Sequence, residues 1–281
     1  MPHGATSIWG VLNITPDSFS DGGAFMREVD ALAHARRMLD EGADVIDIGG
    51  ESSRPKGGAY GMGAEPVSAA EEARRVVPLV RAVTRELRAR VSVDTVKAEV
   101  AARAVEAGAT IVNDVSCGAS EELLRVVATA RAELVLMHTR GRGEVIASQT
   151  RYVDVVDEVR QQLLSALERA YAVGVPRERI WIDPGIGFAK TADQSLALLA
   201  HIDALVATGQ RVLVGPSRKA FIADAAPALD GSKPPPSDRL GGTAAAVTAA
   251  VLGGAHAVRV HDVAIGRQAA LVAERVRRAR C

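Results

Sequence analysis

Short apolar runs in this chain repeatedly hand over to polar side chains: Asn13, Glu51-Ser52-Ser53-Arg54, Asp94, Asn113-Asp114, His138, Asp183, Ser217-Arg218-Lys219, and Arg259 with His261. The cations gather late. Arg259 and His261 are two residues apart, so on a strand they point to the same side, and Lys219 ends the preceding run. Such cations beside a helix N-terminus form a seat for phosphate or pyrophosphate. The competing reading is a set of ion pairs with Asp262 or Asp224. Asn13 offers a neutral oxygen, which suits Mg²⁺ when substrate phosphates complete the shell.

Asp183-Pro184-Gly185-Ile186-Gly187-Phe188 places a carboxylate ahead of glycines that let a flat ligand approach the backbone. A buried carboxylate needs paired donors, supplied either by two parallel N–H groups of an amidine-like heterocycle or by a protein Arg or Lys. Asp94 serves equally as a helix N-cap, Asn113 and Asp114 as braces of a turn, and His138 as a satisfied side chain or a proton shuttle. The polar, glycine-rich stretch carrying Asp17, Phe19 and Asp21 is expected to be a mobile loop, with Phe19 as its apolar plug.

Strands over 8–12, 45–48, 91–93, 111–112, 134–137, 180–182, 212–214 and 257–260 would position these groups. They alternate with helical periodicity over 29–39, 70–87, 98–107, 152–172, 194–207 and 243–252. That alternation forces parallel pairing through crossovers. Gly42, Gly108, Gly174 and Gly253-Gly254 stand where helices should stop. Eight such units in 281 residues predict an α/β fold, a single-domain (β/α)₈ TIM barrel over 1–281, rather than an open doubly wound sheet. In such barrels the chemistry sits at the C-terminal ends of the strands. Loops are expected at about 14–24, 51–66 and 223–239.

Lys plus Arg and Asp plus Glu each number 34, a formal charge of zero that gives nucleic acid or an anionic membrane no electrostatic attraction. Aromatics at 3% argue against a stacking platform for single strands. Cys117 and Cys281 cannot build a disulfide framework or a four-thiolate zinc site. The longest apolar stretch, 244–258, is broken by Gly253, Gly254 and His256, and residues 1–7 lack the pattern of a secretory signal. A cytoplasmic enzyme without nucleic-acid or membrane partners is expected.

Gly10-Val11-Leu12-Asn13-Ile14-Thr15-Pro16-Asp17-Ser18-Phe19-Ser20-Asp21-Gly22-Gly23 and Asp47-Ile48-Gly49-Gly50-Glu51-Ser52-Ser53-Arg54-Pro55 are highly specific. With Asn113-Asp114-Val115-Ser116, Asp183-Pro184-Gly185-Ile186-Gly187-Phe188, Ser217-Arg218-Lys219 and Arg259-Val260-His261-Asp262-Val263, they closely resemble the dihydropteroate synthases of folate biosynthesis, from about residue 8 to 275. The resemblance implies condensation of 6-hydroxymethyl-7,8-dihydropterin pyrophosphate with p-aminobenzoate, releasing pyrophosphate and 7,8-dihydropteroate. It further implies that Asp94, Asn113, Asp183 and Lys219 hold the pterin, within a substrate site that includes Met137, Gly187, Phe188 and Gly215.

Arg259 and His261 would hold pyrophosphate, Asn13 would bind Mg²⁺, and Phe19, Ser53, Arg54 and Ser217 would shape the p-aminobenzoate site. Asp17 and Asp21 would belong to a closing loop, one of them steadying a cationic intermediate or taking the amine proton. Sulfonamide competition and a homodimer are implied as well. Three departures from the family pattern stand out: an extended loop at 55–64, Cys117 in place of a common glycine, and Pro216 where a small residue is usual. Two rival readings share the pterin pocket. A methyltetrahydrofolate corrinoid methyltransferase has less use for the late cations, and a catalytically silent pterin-binding paralogue has no need of the intact binding groups.

Overall fold

The computed structural model describes residues 5–14, 24–51, 67–141 and 147–279. Eight parallel strands close into a barrel in chain order: β1 (Ser7–Asn13), β2 (Val45–Gly49), β3 (Arg90–Asp94), β4 (Ile111–Asp114), β5 (Glu133–Met137), β6 (Ile180–Asp183), β7 (Arg211–Val214) and β8 (Ala257–Val260). Closure is made by β1, which pairs with both β2 and β8. The expected (β/α)₈ architecture is therefore present.

The helices of α1 (Ala24–Asp40), α2 (Ala69–Glu86), α3 (Ala98–Ala107), α4 (Glu121–Ala130) and α5 (Val155–Ala172) follow the first five strands. After β6 come α6 (Ala192–Ala200) and α7 (Ile202–Val206), after β7 α8 (Ala220–Ala225) and α9 (Leu240–Leu252), and after β8 α10 (Val263–Ala279). Local sequence sets their starts. Ser68 Oγ accepts from Glu71 N at 3.2 Å to open α2, and Thr191 with Gln194 forms a reciprocal capping box at α6. Gly42, Gly108, Gly174 and Gly254 stop their helices with φ between +90° and +121°, whereas Gly253 stays right-handed at φ −72°.

The single helix expected over 194–207 is interrupted at His201, whose φ −119° and ψ 39° separate α6 from α7. Asp224 lies in α8, so only the remainder of the 223–239 segment runs over the surface, where most of it is exposed and Asp224 pairs with Lys233. Among the described residues no helix is long and apolar enough to cross a membrane.

The pleat divides the core in two. Ile46, Ile48, Val91, Val93, Leu134 and Leu136 face outward into the main helix-covered cluster. Trp9, Val45, Ile111, Val135, Trp181, Leu213 and Ala257 face inward and form a separate cluster. Trp9 and Trp181 meet edge to face at 5.5 Å between centroids and 70° between planes. Nearer the strand starts, Glu133 accepts from Trp181 Nε1 at 2.6 Å and pairs with both Arg90 and Arg211. This polar layer closes the barrel floor and leaves the other end for the site.

Trp9 has no exposure and fills the barrel axis, so Trp9→Ala is expected to cost about 3–5 kcal/mol. Urea unfolding followed by circular dichroism should show that loss as a lower midpoint with an unchanged slope.

Candidate active site

Alternation along the strands decides which polar groups share the mouth. Trp9, Val135 and Ala257 face inward, so Val11, Met137 and Arg259, two residues later, do so as well. Register then sets Asp47 beside Val11, Asn113 beside Asp94, and Asp183 beside Met137. The resulting cavity is lined by Asp94, Asn113, Met137, Asp183, Phe188, Gly215, Lys219 and Arg259, together with Val115, Gly185 and Ile186. Residues from six strands or the segments just after them thus converge.

Arg259 is the electrostatic centre. Its Nε donates to Asp47 Oδ2 at 2.5 Å and its Nη2 to Asp94 Oδ2 at 3.1 Å. Burial disfavours the guanidinium charge, but the two carboxylates outweigh it and its pKa is raised. Asn113 Nδ2 adds a long contact to Asp47 Oδ2 at 3.4 Å. Asp47 Oδ1 and Asn113 Oδ1 are buried without a hydrogen-bond partner, so the layer still has acceptors to satisfy. Asp47 was not singled out in the sequence reading. The signal was there: a carboxylate inside the run Val45-Ile46-Asp47-Ile48 must point opposite to its apolar neighbours.

Asp183 is buried, and burial raises its pKa despite Gly185 N, which donates to its Oδ1 at 2.7 Å. Any side chain at Gly215 would begin 3.9 Å from Asp183 Oδ2 and 3.8 Å from Arg259 Cβ, so glycine there keeps the mouth open. Across it, Lys219 Nζ lies 3.9 Å from the centroid of Phe188. The mouth bounded by Lys219 and Arg259 holds about 310 Å³ of empty space, part of it open to solvent. Gly185 is essential to the wall. At φ +63° a Cβ would stand 1.9 Å from His138 O, and that same residue's N–H donates to Asp183 O at 2.8 Å.

His261 lies just beyond β8 and does not line this cavity. Its Nδ1 is 3.0 Å from Ser217 Oγ, which also accepts from His261 N at 3.2 Å, and it borders a second cleft beside His34 and Arg37 of α1. Lys219 and Arg259 share the mouth, while His261 and Ser217 flank it. The alternative ion-pair partners are engaged elsewhere. Asp262 takes both Arg218 Nε (2.9 Å) and Nη2 (2.6 Å), and Asp224 pairs with Lys233. Arg218 is thereby a brace between β7 and β8, with φ +58°.

Asn13 ends β1, and a Cβ at Gly49 would stand 3.3 Å from its Oδ1 and 3.5 Å from Asp94 Cβ. Among the described residues no group of three or more His, Cys, Asp or Glu side chains could hold a metal ion. Asp17, Phe19, Asp21, Ser53 and Arg54 lie outside the described residues.

Cys117 takes φ +62°, followed by Gly118 at φ +70°. A left-handed pair explains why glycine suits position 117, and here Arg169 compensates. Its Nη2 donates to Cys117 O at 2.7 Å and its Nε to Gly118 O at 3.2 Å. Pro216 is buried, and its carbonyl accepts from Lys219 N at a long 3.5 Å.

Residues 9–261 match the family described as pterin binding enzyme. A Synechocystis sp. protein named dihydropteroate synthase is 45% identical over 270 residues, covering 96% of this chain and 89% of that one. A crystal structure of dihydropteroate synthase from Clostridium difficile, in the presence of pteroic acid, superposes with a TM-score of 0.87 at 36% identity, over 98% of this chain and 97% of that chain. The Xanthomonas albilineans enzyme in complex with 7,8-dihydropteroate gives 0.84 at 37% identity, over 98% and 95%.

Removing Asp47 leaves Arg259 with Asp94 alone inside the barrel. Asp47→Ala is expected to lower unfolding free energy by about 1.5–3 kcal/mol in denaturant titration. Glu121→Ala, which breaks an exposed pair with Arg125, should change it by under about 0.5 kcal/mol.

Proposed function

Because the chain belongs to the pterin binding enzyme family and, within it, to the dihydropteroate synthases, we propose that it joins 6-hydroxymethyl-7,8-dihydropterin pyrophosphate to p-aminobenzoate by assisted departure of pyrophosphate. The observation that carries this reading is the meeting of Asp94, Asn113, Asp183, Lys219 and Arg259 at one barrel mouth. In the reaction the pterin CH₂–O bond breaks, the electron pair leaves with pyrophosphate, and the arylamine nitrogen forms the new bond to CH₂ and loses a proton. The conjugated ring shares the positive charge, so departure can precede attack. A neutral arylamine needs no strong base to become a nucleophile. Stabilising the leaving anion is then the main task.

Asp183 would accept from the 2-amino and ring N–H groups, with Oδ1 kept in place by Gly185 N. Asn113 and Asp94 would meet the heterocycle's other edge, and Lys219 would move from Phe188 onto a ring acceptor. A guanidinium has five N–H donors, so Arg259 can keep Asp47 and Asp94 and still offer the rest to pyrophosphate. His261, steadied by Ser217, would meet the same anion from the flank.

Mg²⁺ would be held by the neutral side-chain oxygen of Asn13, with substrate phosphates completing its shell, and when bound it would supply further positive charge to the leaving group. The parts assigned to Phe19, Ser53 and Arg54 in holding p-aminobenzoate, and to Asp17 or Asp21 in steadying the cation or taking the amine proton, rest on the sequence resemblance. So does a homodimer.

Purified protein with Mg²⁺ and both substrates is expected to release pyrophosphate only when p-aminobenzoate is present, and chelation should suppress it. Pterin binding with no pyrophosphate release would overturn the reading. Asp183→Asn and Lys219→Ala should each lower kcat/KM by at least about 100-fold while thermal melts stay cooperative. Arg259→Ala should weaken pyrophosphate binding more than p-aminobenzoate binding in calorimetry, and equal losses would contradict that division.

A further inference from the structure

The wall that carries Gly185, Ile186 and Phe188 is held from behind by groups that never reach the cavity. Lys190 is 4% exposed, and its ammonium donates to Gly185 O at 3.0 Å and Phe188 O at 2.9 Å, with His138 Nδ1 as a third neighbour at 2.9 Å. His138 has no exposure, and its Nε2 lies 3.0 Å from Gln162 Oε1 on α5. An ammonium can only donate, so Nδ1 must accept and the imidazole proton must sit on Nε2, donating to Gln162. Both ends of the ring agree on one neutral tautomer.

We propose that Lys190 is a positioning residue for pterin binding: its ammonium fixes the two carbonyls that set Gly185 beside Asp183 and Phe188 beneath Lys219, with neutral His138 and Gln162 as its backing. Lys190 does not touch substrate. It acts through Phe188, on whose ring Lys219 rests, and through Gly185, whose N–H holds Asp183 Oδ1. The wall has other ties: Gly187 N donates to Ser195 Oγ at 3.3 Å and Tyr152 OH to Ala189 O at 3.2 Å, so loss of Lys190 should loosen it without unfolding the barrel.

The clamp is sensitive to protons. An ammonium satisfies three acceptors, whereas a neutral amine has only two N–H groups to give them. Burial lowers the Lys190 pKa to about 7, opposed by Asp183 and Cys117 and assisted by Lys219 and Arg140. Of the groups facing it, His138 is kept neutral, its pKa lowered to about 3 by burial and then by Lys190, and burial raises the Cys117 thiol to about 11. Arg140 is balanced by Glu158 at 2.5 Å. Burial raises the Asp183 pKa, and a carboxyl can only gain charge as pH rises, so Asp183 is not the source of a loss on the alkaline side.

The inference rests on the reading of this mouth as a pterin site. Calorimetry with 6-hydroxymethyl-7,8-dihydropterin, which lacks the pyrophosphate that Arg259 and His261 would meet, and without p-aminobenzoate, separates the two. Wild type should bind at about pH 6 and lose up to about tenfold in affinity by about pH 8.5. Lys190→Met should bind about tenfold more weakly at about pH 6 and show no alkaline loss.

A variant that binds like wild type, or keeps the alkaline loss, would overturn the role of Lys190. A wild type that binds no pterin at either pH would overturn the site reading instead. Nitrogen-15 spectra of histidine-labelled wild type give a check free of any variant. His138 should be neutral with its proton on Nε2 at about pH 6, and a doubly protonated or Nδ1–H ring would overturn the clamp.

Discussion

Arg259 stands at the mouth of a closed barrel with its side chain only 18% exposed, and Asp47 and Asp94 supply the opposite charge that its desolvated part needs. The three lie on β8, β2 and β3, so no local stretch of chain can supply the arrangement, and it exists only once β1 has closed the sheet between β2 and β8. Closure also forces the pleat to alternate without exception. Below the charged layer the inward positions hold Trp9, Val45 and Trp181, and above it lies the mouth. The electrostatics of the site and the packing of the barrel are therefore consequences of one register. A shift of one residue on β2 would put Asp47 among the helix-facing side chains and Ile46 or Ile48 against Arg259.

The same alternation makes a second, outward layer of polar groups, which serves the first. His138 follows the inward Met137 and so faces the helices, where Gln162 and Lys190 meet it. Gly185 joins the layers. Its carbonyl accepts from Lys190, its N–H donates to Asp183, and its lack of a side chain lets His138 O approach. A neutral imidazole backed by the Lys190 ammonium thus stands behind the wall, and the Arg259 guanidinium with its carboxylates in front of it. Depth and partners both make the difference: burial and then the neighbouring ammonium keep the His138 ring uncharged, whereas two carboxylates hold the Arg259 charge against burial.

Much of this was legible in the chain because strand and helix periods differ. Spacing shows the eight strands and most of the glycine stops and places α3 over the residues it occupies, whereas α4, α8 and α10 are not among the helical stretches it picks out. Helix α7 was merged with α6 because periodicity carries across a single irregular residue, His201, whose dihedral angles no local pattern announces. The polar residues at strand ends were visible as a class, but their division between layers was not, since run boundaries are uncertain by a residue and one residue reverses a side chain. Arg259 and His261 show the limit. Both were placed on one side by their spacing, yet β8 ends at Val260, and beyond it the pleat no longer dictates direction, leaving His261 with Ser217 while Arg259 turns inward. Lys190 escaped notice for a different reason. A lysine in a glycine-rich loop looks solvated, and only the folded wall reveals three acceptors converging on its tip.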